Sequence, residues 1–583
     1  MVKMFEESKD LSDESRSLAE RCRDYYDGDQ LTADELATLR RRKQPPVVNN
    51  RIAPKVDYLL GVEAQTRTDP KAYPRTPNSD DAAEAVTDSI RYVCDNSDFD
   101  LTASECFENL TIEGVEACII EVVGDKKEII PRWVSADRSF YDPHAIRRDF
   151  SDSTYNGVVA WMDVSFARSK WPKSGDDIDA QISDHDYPDK PSYWTDSGRK
   201  RIMVCEMYFE RPNGWYRAVF TKGTLLEPVE LSAYKDEDGA PCNAMVMQSY
   251  KIDRRGCRYG AVKILLDIQD EINKRKSKSL HASNSRQTWS KAGMLEDING
   301  FKREVAKPDG HIEFPVAGEF GKDFGIMPDS GMSAQQFAMY QESVSQIDTV
   351  GANSAAGASS QSSGRAIQAL QQAGQLELGK LFDSHSQFKK RVYRKIWNCI
   401  RQFWTEERWV RVTDDEENVK FVGINKAVTV KQKIEAKFGP IPADHPINQD
   451  PRVNSVAEVQ NRVAEIDVDI IIDEVPDTVN LQSEQLEMLM KMYQANPNGV
   501  PWEAIIEMSS LRNKDKILGK DDPGAEQRNQ LQQQAEQIQM AEKQADIEDT
   551  KTETALTAQK TMGEALQNQI LRQAPITSTR VVV

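Results

Sequence analysis

One stretch of the sequence has the spacing of a nucleotide-binding phosphate loop. Gly374, Gly379 and Lys380 fit the pattern Gly-x-x-x-x-Gly-Lys, in which exposed backbone N–H groups surround phosphates and the lysine neutralises their charge. Leu381 stands where a serine or threonine would hold Mg²⁺. The surrounding pattern also predicts a helix interior, where the N–H groups are already bonded to carbonyls. The sequence therefore argues against an ATP site here.

A group of carboxylates late in the chain is the best candidate for a cation site. Asp467, Asp469 and Asp473 would share one face of a strand, and three carboxylates on one face could hold Mg²⁺ or Ca²⁺. The alternative is a half-exposed strand whose acidic face is solvated. Because no histidine, lysine or further acidic motif lies nearby to support a metal site, the solvated strand is preferred.

The histidines and cysteines lack the spacings of catalytic or metal sites. None of the six histidines lies within five residues of another, and none of the eight cysteines forms a Cys-x-x-Cys pair. His385 falls in an apolar stripe and is interpreted as a core histidine with a hydrogen-bond partner. We expect reduced, mostly buried cysteines, no cofactor and no catalytic residues.

Four cations cluster at the polar end of one predicted helix. They are Lys274, Arg275, Lys276 and Lys278. Such a cluster could meet phosphates, but a bare run of charge is more often the solvated end of a helix.

Composition excludes several classes of protein. The chain has 583 residues, of which 75 are Lys or Arg and 94 are Asp or Glu, so its net charge is −19. That balance argues against a globally basic protein that wraps nucleic acid. Its length suggests about three to five structural units. No apolar run reaches the roughly 18 residues that a bilayer crossing needs, and the charged N-terminus predicts no secretory signal.

Hydrophobic periodicity divides the chain into helical and extended blocks. The first block is helical, with a capping box at Thr32–Glu35, a helix near 52–66, an extended connector at Pro70–Pro77 and helix over 80–113. The next block is extended, with strands at 115–123, 129–134 and 158–164, a polar loop over 172–200, and a hairpin of 202–210 with 215–220. A helix over 261–283 then precedes a broken region, 285–330, whose turns are placed at Gly293, Asn299-Gly300 and Pro308–Gly310. A second helix follows over 333–350.

The strongest helical signal follows a stretch of small residues. Residues 351–364 cannot bury a core and predict a flexible loop. An apolar stripe then predicts a helix over about 365–408, and it consists of Leu381, His385, Phe388, Val392, Ile396, Ile400 and Phe403. Short strands are predicted over 410–475 and helices over 481–494 and 501–512. The Gln-rich segment 525–572 has so thin an apolar stripe that it is either frayed or packed by neighbouring copies.

The order of these elements resembles the portal proteins of tailed bacteriophages, particularly the P22-like type of short-tailed phages. The resemblance rests on short segments spread over some 450 residues, which are Tyr25–Gln30, Asn50–Gly61, Glu63-x-Gln65-x-Arg67, Phe140–Pro143, Asp149–Asp152, Asp267–Asn273, Ser363–Ala366 and Asp473–Thr478. No single segment is highly specific, but their order is.

The resemblance implies an α+β portal fold assembled into a ring of about twelve subunits. The parts that it implies are an N-terminal mixed α/β wing (1–260), a stem helix (261–284), a small β-containing clip (285–330), a second stem helix (331–350), a tunnel loop with a long wing or channel helix (351–409), wing strands (410–479), a helical crown (480–523) and a long C-terminal helix forming a barrel with its tail (524–583). This chain is shorter than the family prototype, which leaves the length and shape of the barrel open.

The resemblance also implies a function without catalysis. Such a ring sits at one capsid vertex, where double-stranded DNA is packaged and ejected through its channel. The implied partners are terminase, then head-to-tail adaptor or tail proteins, with major capsid protein and scaffold at the wing. The protein would be assembled in the host cytoplasm and reside in the virion, without contacting a membrane.

The resemblance places two groups of residues along the DNA channel. These are the loop residues Ser354, Gly357, Ser359, Gln361, Ser362 and Ser363 and the stem cations Lys274, Arg275, Lys276 and Lys278. A small, uncharged loop can touch moving DNA without gripping it, because each cation on a phosphate adds affinity. The alternatives are another virion structural protein, such as an adaptor or scaffold, and a terminase-type packaging enzyme, against which Leu381 and its helical context argue.

Overall fold

The computed structural model divides into two units, Met1–Pro476 and Asp477–Val583. The residues that it describes are 1–67, 70–74, 80–183, 193–196, 198–284, 288–293, 297–307, 309–311, 319, 321–326, 332–349, 364–413, 419–438, 454–460, 468–472 and 489–493. In the second unit, 489–493 are helical. Helix and strand both occur throughout the first unit, which is compatible with the predicted α+β class.

Helices dominate the beginning and the later half of the first unit. Their bounds are α1 Val2–Leu11, α2 Asp13–Asp27, α3 Ala33–Arg41, α4 Ile52–Gln65, α5 Asp80–Asn96, α6 Phe99–Ile112, α7 Val164–Lys170, α8 Gly175–Ser183, α9 Leu266–Asn284, α10 Ile298–Ala306, α11 Met332–Thr349, α12 Gly364–Phe403 and α13 Val430–Phe438. Short 3₁₀ turns cover Ala136–Arg138, Pro172–Ser174 and Val262–Leu265.

The strands pair antiparallel throughout. Their bounds are β1 Pro70–Pro74, β2 Val115–Val123, β3 Glu128–Trp133, β4 Ser139–Tyr141, β5 Tyr155–Asp163, β6 Thr195–Asp196, β7 Arg201–Arg211, β8 Gly214–Phe220, β9 Leu225–Leu231, β10 Met245–Ser249, β11 Lys251–Ile252, β12 Arg258–Tyr259, β13 Thr288–Ser290, β14 Phe324–Ile326, β15 Arg408–Thr413, β16 Val419–Ile424, β17 Lys426–Thr429, β18 Val456–Gln460 and β19 Val468–Ile472. Among the described residues, the largest sheet has the order β4-β5-β7-β8-β9, with β6 on β7. A second sheet has the order β10-β2-β3, and the other described strands form five two-stranded sheets.

The largest apolar core lies where α12 packs on α5, α6 and the sheet of β2 and β3. The predicted stripe of α12 is buried, since Leu381, Phe388, Val392, Ile396 and Ile400 are each 0% exposed. Phe388, Val392, Ile396 and Ile400 pack in one cluster with residues such as Ile90, Phe99 and Ile120, whereas Leu381 belongs to a neighbouring cluster with Phe107 and Leu110. A four-residue repeat of apolar side chains therefore sets both the helix and the face that it buries.

Most of the predicted elements are confirmed. The Thr32 side chain accepts a hydrogen bond from the Glu35 backbone N–H and the Glu35 side chain bonds back to Thr32, which is the predicted capping box. The helix over 80–113 is present as α5 and α6, separated at Asp98, whose φ is +49°. Pro70–Pro74 is extended as predicted, because it pairs with β19. The hairpins β2–β3 and β7–β8 are both found.

Three local predictions were wrong. The polar loop over 172–200 contains helix α8, whose first turn carries Asp176 and Asp177, where carboxylates stabilise the positive end of the helix dipole. The predicted turn at Asn299-Gly300 is the start of α10, because the Asp297 side chain accepts hydrogen bonds from both of those N–H groups. In each case a capping or charge signal outweighs the turn-forming residues.

The third error lies among the strands predicted over 410–475, which include helix α13. Thr429 and Gln432 form a reciprocal capping pair in which the Gln432 N–H donates to Thr429 Oγ1 and the Thr429 N–H donates to Gln432 Oε1. The sequence Thr-x-x-Gln is the signature of such a pair and could have revealed this helix.

Candidate functional site

Two long helices of the first unit pack against each other and against the N-terminal helices. On α9 and the turn before it, Val262, Leu265, Leu266 and Ile272 are buried, as their spacing predicts. They share an apolar cluster with Ile347 of α11 and with residues of α2 and α4. At about 1.5 Å per residue, α9 is roughly 28 Å long and α11 roughly 27 Å.

A network of buried polar side chains fixes the first half of α9. Gln269 and Asn273 are 0% and 2% exposed. Asn273 Nδ2 donates to Gln30 Oε1 over 2.6 Å, and Gln30 Nε2 donates to the carbonyl of Tyr25 over 2.8 Å. The backbone N–H of Asn49 donates to Asn273 Oδ1 over 2.9 Å. Side chains that are distant in sequence therefore satisfy one another where water is excluded.

The same network reaches the segment between α3 and α4. Gln269 accepts from the Arg51 N–H over 3.0 Å and donates to the Asn49 carbonyl over 2.8 Å. Ser277 Oγ donates to the carbonyl of Pro45 over 2.7 Å. We call Gln30, Asn49, Gln269, Asn273 and Ser277 the root network. The root network connects three of the segments on which the resemblance rests, which are 25–30, 50–61 and 267–273. Asn49 lies immediately before the second of these, and Ser277 lies four residues after the third.

Sequence reasoning did not single out the root network. A signal was present, because Gln269, Asn273 and Ser277 recur every four residues and so form a polar stripe on α9 beside its apolar one. Three polar side chains in register on a helix that packs on its neighbours must find hydrogen-bond partners. What the spacing does not contain is the identity of those partners.

The predicted cation cluster lies on the outer side of α9. The Lys274 ammonium is 3.6 Å from Asp270 and 3.9 Å from Glu35, and Arg275 forms an ion pair with Glu271. Lys278 is exposed and Lys276 is half-buried. Two of the four cations are therefore partly neutralised by carboxylates, which resembles the solvated helix end that the sequence left open as an alternative.

The remaining candidates are placed only in part. The loop residues Ser354, Gly357, Ser359, Gln361, Ser362 and Ser363 lie outside the described residues. Of the carboxylate trio, Asp469 falls in β19, whereas Asp467 and Asp473 lie outside. Among the residues that the structure describes, no group of three or more His, Cys, Asp or Glu side chains is placed to hold a metal ion. The phosphate-loop pattern Gly374–Lys380 lies within α12, as predicted.

Helix α12 is held to the sheet of β2 by a fully buried pair. His385 Nδ1 lies 2.8 Å from Glu116 Oε2, and the two side chains are 3% and 0% exposed. Burial raises the pKa of Glu116 well above its usual range and lowers that of His385 well below it; the Lys389 charge lowers the latter further. These shifts favour the uncharged forms of both groups. His385 is a core histidine, as the sequence predicted, but only its Nδ1 is paired, because its Nε2 has no hydrogen-bond partner among the described residues.

Two cations anchor α12 further along its length. Arg391 donates to the carbonyls of Asp149 and Met247, each over 2.8 Å. Lys395 Nζ donates to Asn243 Oδ1 over 2.8 Å, and burial lowers the pKa of this lysine. These contacts join α12 to the loop after β4 and to the segment at β10.

Another buried arginine holds the loop that contains two of the family-like segments. Arg258 is 1% exposed. Its guanidinium donates to the Ala145 carbonyl over 2.7 Å, to the Arg147 carbonyl over 3.1 Å and to Ser249 Oγ over 2.6 Å. It also stacks on Phe150, 3.8 Å from the ring centroid. Burial lowers its pKa. The first half of the loop 142–153 is thus held by Arg258, while Arg391 of α12 binds the same loop at Asp149.

The loop also carries its own carboxylate caps. Asp152 accepts the backbone N–H groups of Ile146 and Arg147, and Asp142 accepts the N–H of His144 over 3.0 Å. The acidic residues of these two segments therefore order backbone turns, which is a structural role rather than a catalytic one.

The segments described above fall within the range of the chain that a known family model matches. A model of the phage P22-like portal protein family matches residues 2–214 and 212–569. The chain belongs to this family. No curated protein sequence matched it. The P22-like portal family is generally a structural one, and membership identifies the chain as a component of the phage capsid. In the described part of this portal-family chain, no helix combines the length and apolar character needed to cross a membrane.

Replacing Gln269 with leucine is expected to lower the free energy of unfolding by about 2–3 kcal/mol. Leucine fills similar space, but the Arg51 N–H and the Asn49 carbonyl lose their partners, and each buried unpaired group costs about 1–3 kcal/mol. The measurement is urea unfolding followed by tryptophan fluorescence. Lys278→Leu, an exposed change on the same helix, is the control, and equal midpoints for the two variants would contradict the assignment.

Proposed function

We propose that this chain forms a ring of about twelve subunits at one vertex of the capsid, with a central channel through which DNA is packaged and later ejected. The observation that carries the proposal is the family match, whose two overlapping ranges together cover residues 2–569. A closed ring would also supply packing partners for the Gln-rich segment 525–572, because cyclic symmetry gives each subunit two neighbours.

The helix pair of α9 and α11 is the part best suited to a channel wall. Both helices are rooted in the N-terminal helices by the apolar cluster of Val262, Leu265, Ile272 and Ile347. Tyr340 of α11 also accepts a hydrogen bond from Asn49 Nδ2 over 2.9 Å. A pair of helices fixed at a root can keep its place while a duplex moves past it. This supports the stem assignment of 261–284 and 331–350.

The other parts are assigned by family membership. We assign 1–260 and 410–479 to the wing, 285–330 to the clip, 351–409 to the tunnel loop and long helix, 480–523 to the crown and 524–583 to the C-terminal barrel. The small uncharged residues of 354–363 would contact DNA without holding it, and the net charge of −19 discourages binding of the duplex to the ring.

The proposed partners follow from this arrangement. The clip would meet terminase during packaging and the adaptor or tail proteins afterwards, while the wing would meet the major capsid protein and scaffold. No step of this function requires catalysis by the chain. The buried contacts of Glu116, Arg258 and Arg391 then serve to keep the wing and the long helix rigid during DNA passage.

The test is the native mass of the purified protein together with end-on electron-microscope views. We expect closed rings of about twelve 66.0 kDa subunits, roughly 800 kDa, with a central hole wide enough for duplex DNA. The same sample should show no ATP hydrolysis. A monomer that hydrolysed ATP would overturn the proposal, because it would point to a packaging motor.

A further inference from the structure

An acidic cleft of about 710 Å³ lies between α2, α6 and the segment after β3. Seven carboxylates and three cations line it. The cations are all engaged within their own subunit. Arg23 binds Glu108 and Glu113, Arg16 donates to Ser139 and Ser12, and Lys9 lies over the Tyr193 ring at 3.6 Å.

The carboxylates are in excess of the cations that could neutralise them. Asp13, Glu20, Asp24 and Glu105 form no ion pair with any residue of the described part of the chain. Burial, together with the charge of Glu108, raises the pKa of Glu105. An added cation would relieve this repulsion, so the cleft is suited to a positively charged occupant.

The cleft wall also carries a hydrogen-bond donor and an aromatic ring, which suit a peptide better than a simple ion. Asn109 is 2% exposed and lines the cleft, and its Nδ2 has no hydrogen-bond partner among the described residues. A buried amide donor of this kind suits a backbone carbonyl. Trp133, which is 39% exposed, provides a flat surface on which an arginine could stack.

The same chain carries a matching basic segment. Arg40, Arg41, Arg42 and Lys43 are consecutive and all exposed. Their side chains form no ion pair with residues that the structure describes. The segment is ordered, since the Arg42 and Lys43 N–H groups donate to carbonyls at the end of α3. Cations are also favoured there by the helix dipole.

The two surfaces lie on different sides of α2. Arg21 and Tyr25 contact Asp270 of α9, whereas Arg23 faces Glu108 and Glu113 at α6. Positions two apart on a helix differ by about 200°, so these are opposite faces. Helix α3, which carries the basic segment, is tied to the α9 side by the Glu35–Lys274 pair. Complementary surfaces on different sides of one subunit are what a head-to-tail ring contact requires.

We propose that the basic segment Arg40–Lys43 of one copy binds in the acidic cleft of the neighbouring copy. This inference rests on the proposed ring. The occupant is a second copy of this chain because charge, exposure and position all match within the one sequence.

The test uses two charge-reversal variants of the full chain. In the first, Arg40, Arg41, Arg42 and Lys43 are changed to Glu; in the second, Asp13, Glu20, Asp24 and Glu105 are changed to Lys. At a concentration where the natural chain forms rings, each variant alone should show at least a tenfold lower ring fraction by mass photometry. Mixed in equal amounts, they should form rings again, because alternating subunits restore opposite charges at every contact.

The control changes four other exposed cations, Lys126, Lys127, Arg199 and Lys200, to Glu and alters the net charge equally. It should form rings normally. An Arg/Lys→Gln version of the first variant guards against misfolding and should also lower the ring fraction, though less than charge reversal does, because it removes the attraction without adding repulsion. Rings formed by the first variant alone would overturn the contact while leaving the portal proposal standing. Loss of rings in the second variant only would likewise overturn this contact, because it would assign the cleft to a different segment of the neighbouring copy. Absence of rings in the natural chain would overturn the portal proposal itself.

Discussion

Replacing Arg258 with methionine is expected to lower the free energy of unfolding by about 3–5 kcal/mol. The change leaves the Ala145 and Arg147 carbonyls and Ser249 Oγ buried without their donor. Each such group costs about 1–3 kcal/mol, and removing one member of a buried charged network costs about 3–5 kcal/mol. Methionine keeps some of the contact with Phe150 but provides no hydrogen bond.

Urea unfolding and limited proteolysis of the loop 142–153 measure the Arg258 effect. Arg254→Met is a matched control, because Arg254 lies four positions before Arg258 in the sequence and its side chain is exposed. Arg258→Lys should lose less stability than Arg258→Met, since one ammonium cannot reproduce the forked geometry of the guanidinium. A loss below 1 kcal/mol for Arg258→Met, or equal effects at positions 254 and 258, would show that the loop does not depend on this side chain.

Changing Glu116 to glutamine is expected to have an effect that depends strongly on pH. The raised pKa of Glu116 means that the folded protein keeps its proton where the unfolded chain has lost it. Stability from this proton is fully present below the unfolded value of about 4.3 and is lost as pH rises toward the folded pKa. The advantage of the natural chain over Glu116→Gln should therefore shrink with rising pH, by up to about 1.4 kcal/mol per unit.

In the natural chain, His385 also contributes to how the free energy of unfolding depends on pH. Its lowered pKa means that the folded protein leaves it neutral while the unfolded chain binds a proton below about pH 6.5. Between about pH 4.5 and 6.5 each state of the pair then holds one proton, so the pair contributes no slope there. Above about pH 6.5 the unfolded pair holds none, and stability falls.

Urea midpoints at half-unit steps from pH 5 to pH 8.5 measure this difference. Glu128→Gln, which removes an exposed carboxylate from the neighbouring strand, gives the baseline to subtract. The urea midpoint of the natural chain minus that of Glu116→Gln should fall as pH rises. If this difference stays constant or grows instead, Glu116 is ionised in the folded protein.

Both changes test how firmly the long helix and its supporting loop are fixed. On α12, Arg391 reaches the Asp149 carbonyl and His385 reaches Glu116. Arg258 binds the same loop two residues before Asp149, at the Arg147 carbonyl. These contacts connect the helix assigned to the channel side with the sheets assigned to the wing. In the proposed function, a force from moving DNA would be distributed through them.

Much of the local structure could be predicted from the sequence because it depends on short-range periodicity. The stripe from Leu381 to Phe403 predicts α12, the Thr32–Glu35 box predicts the start of α3, and alternation predicts the β2–β3 and β7–β8 hairpins. The resemblance to P22-like portal proteins was also available from the order of short segments, and the family match confirms it.

The tertiary structure alone decided which polar residues meet. Asn273 and Gln30 are 243 positions apart, and Arg258 bonds a carbonyl 113 positions away. No local pattern encodes such a partner, because the hydrogen bond forms only after packing has excluded water and brought both segments together. Local patterns in the sequence predict most of the helices and the two hairpins, but not α8, α10 and α13, and the order of short segments predicts the family. The fold decided that the family-like segments 25–30 and 267–273 form one buried network, since burial makes their pairing obligatory.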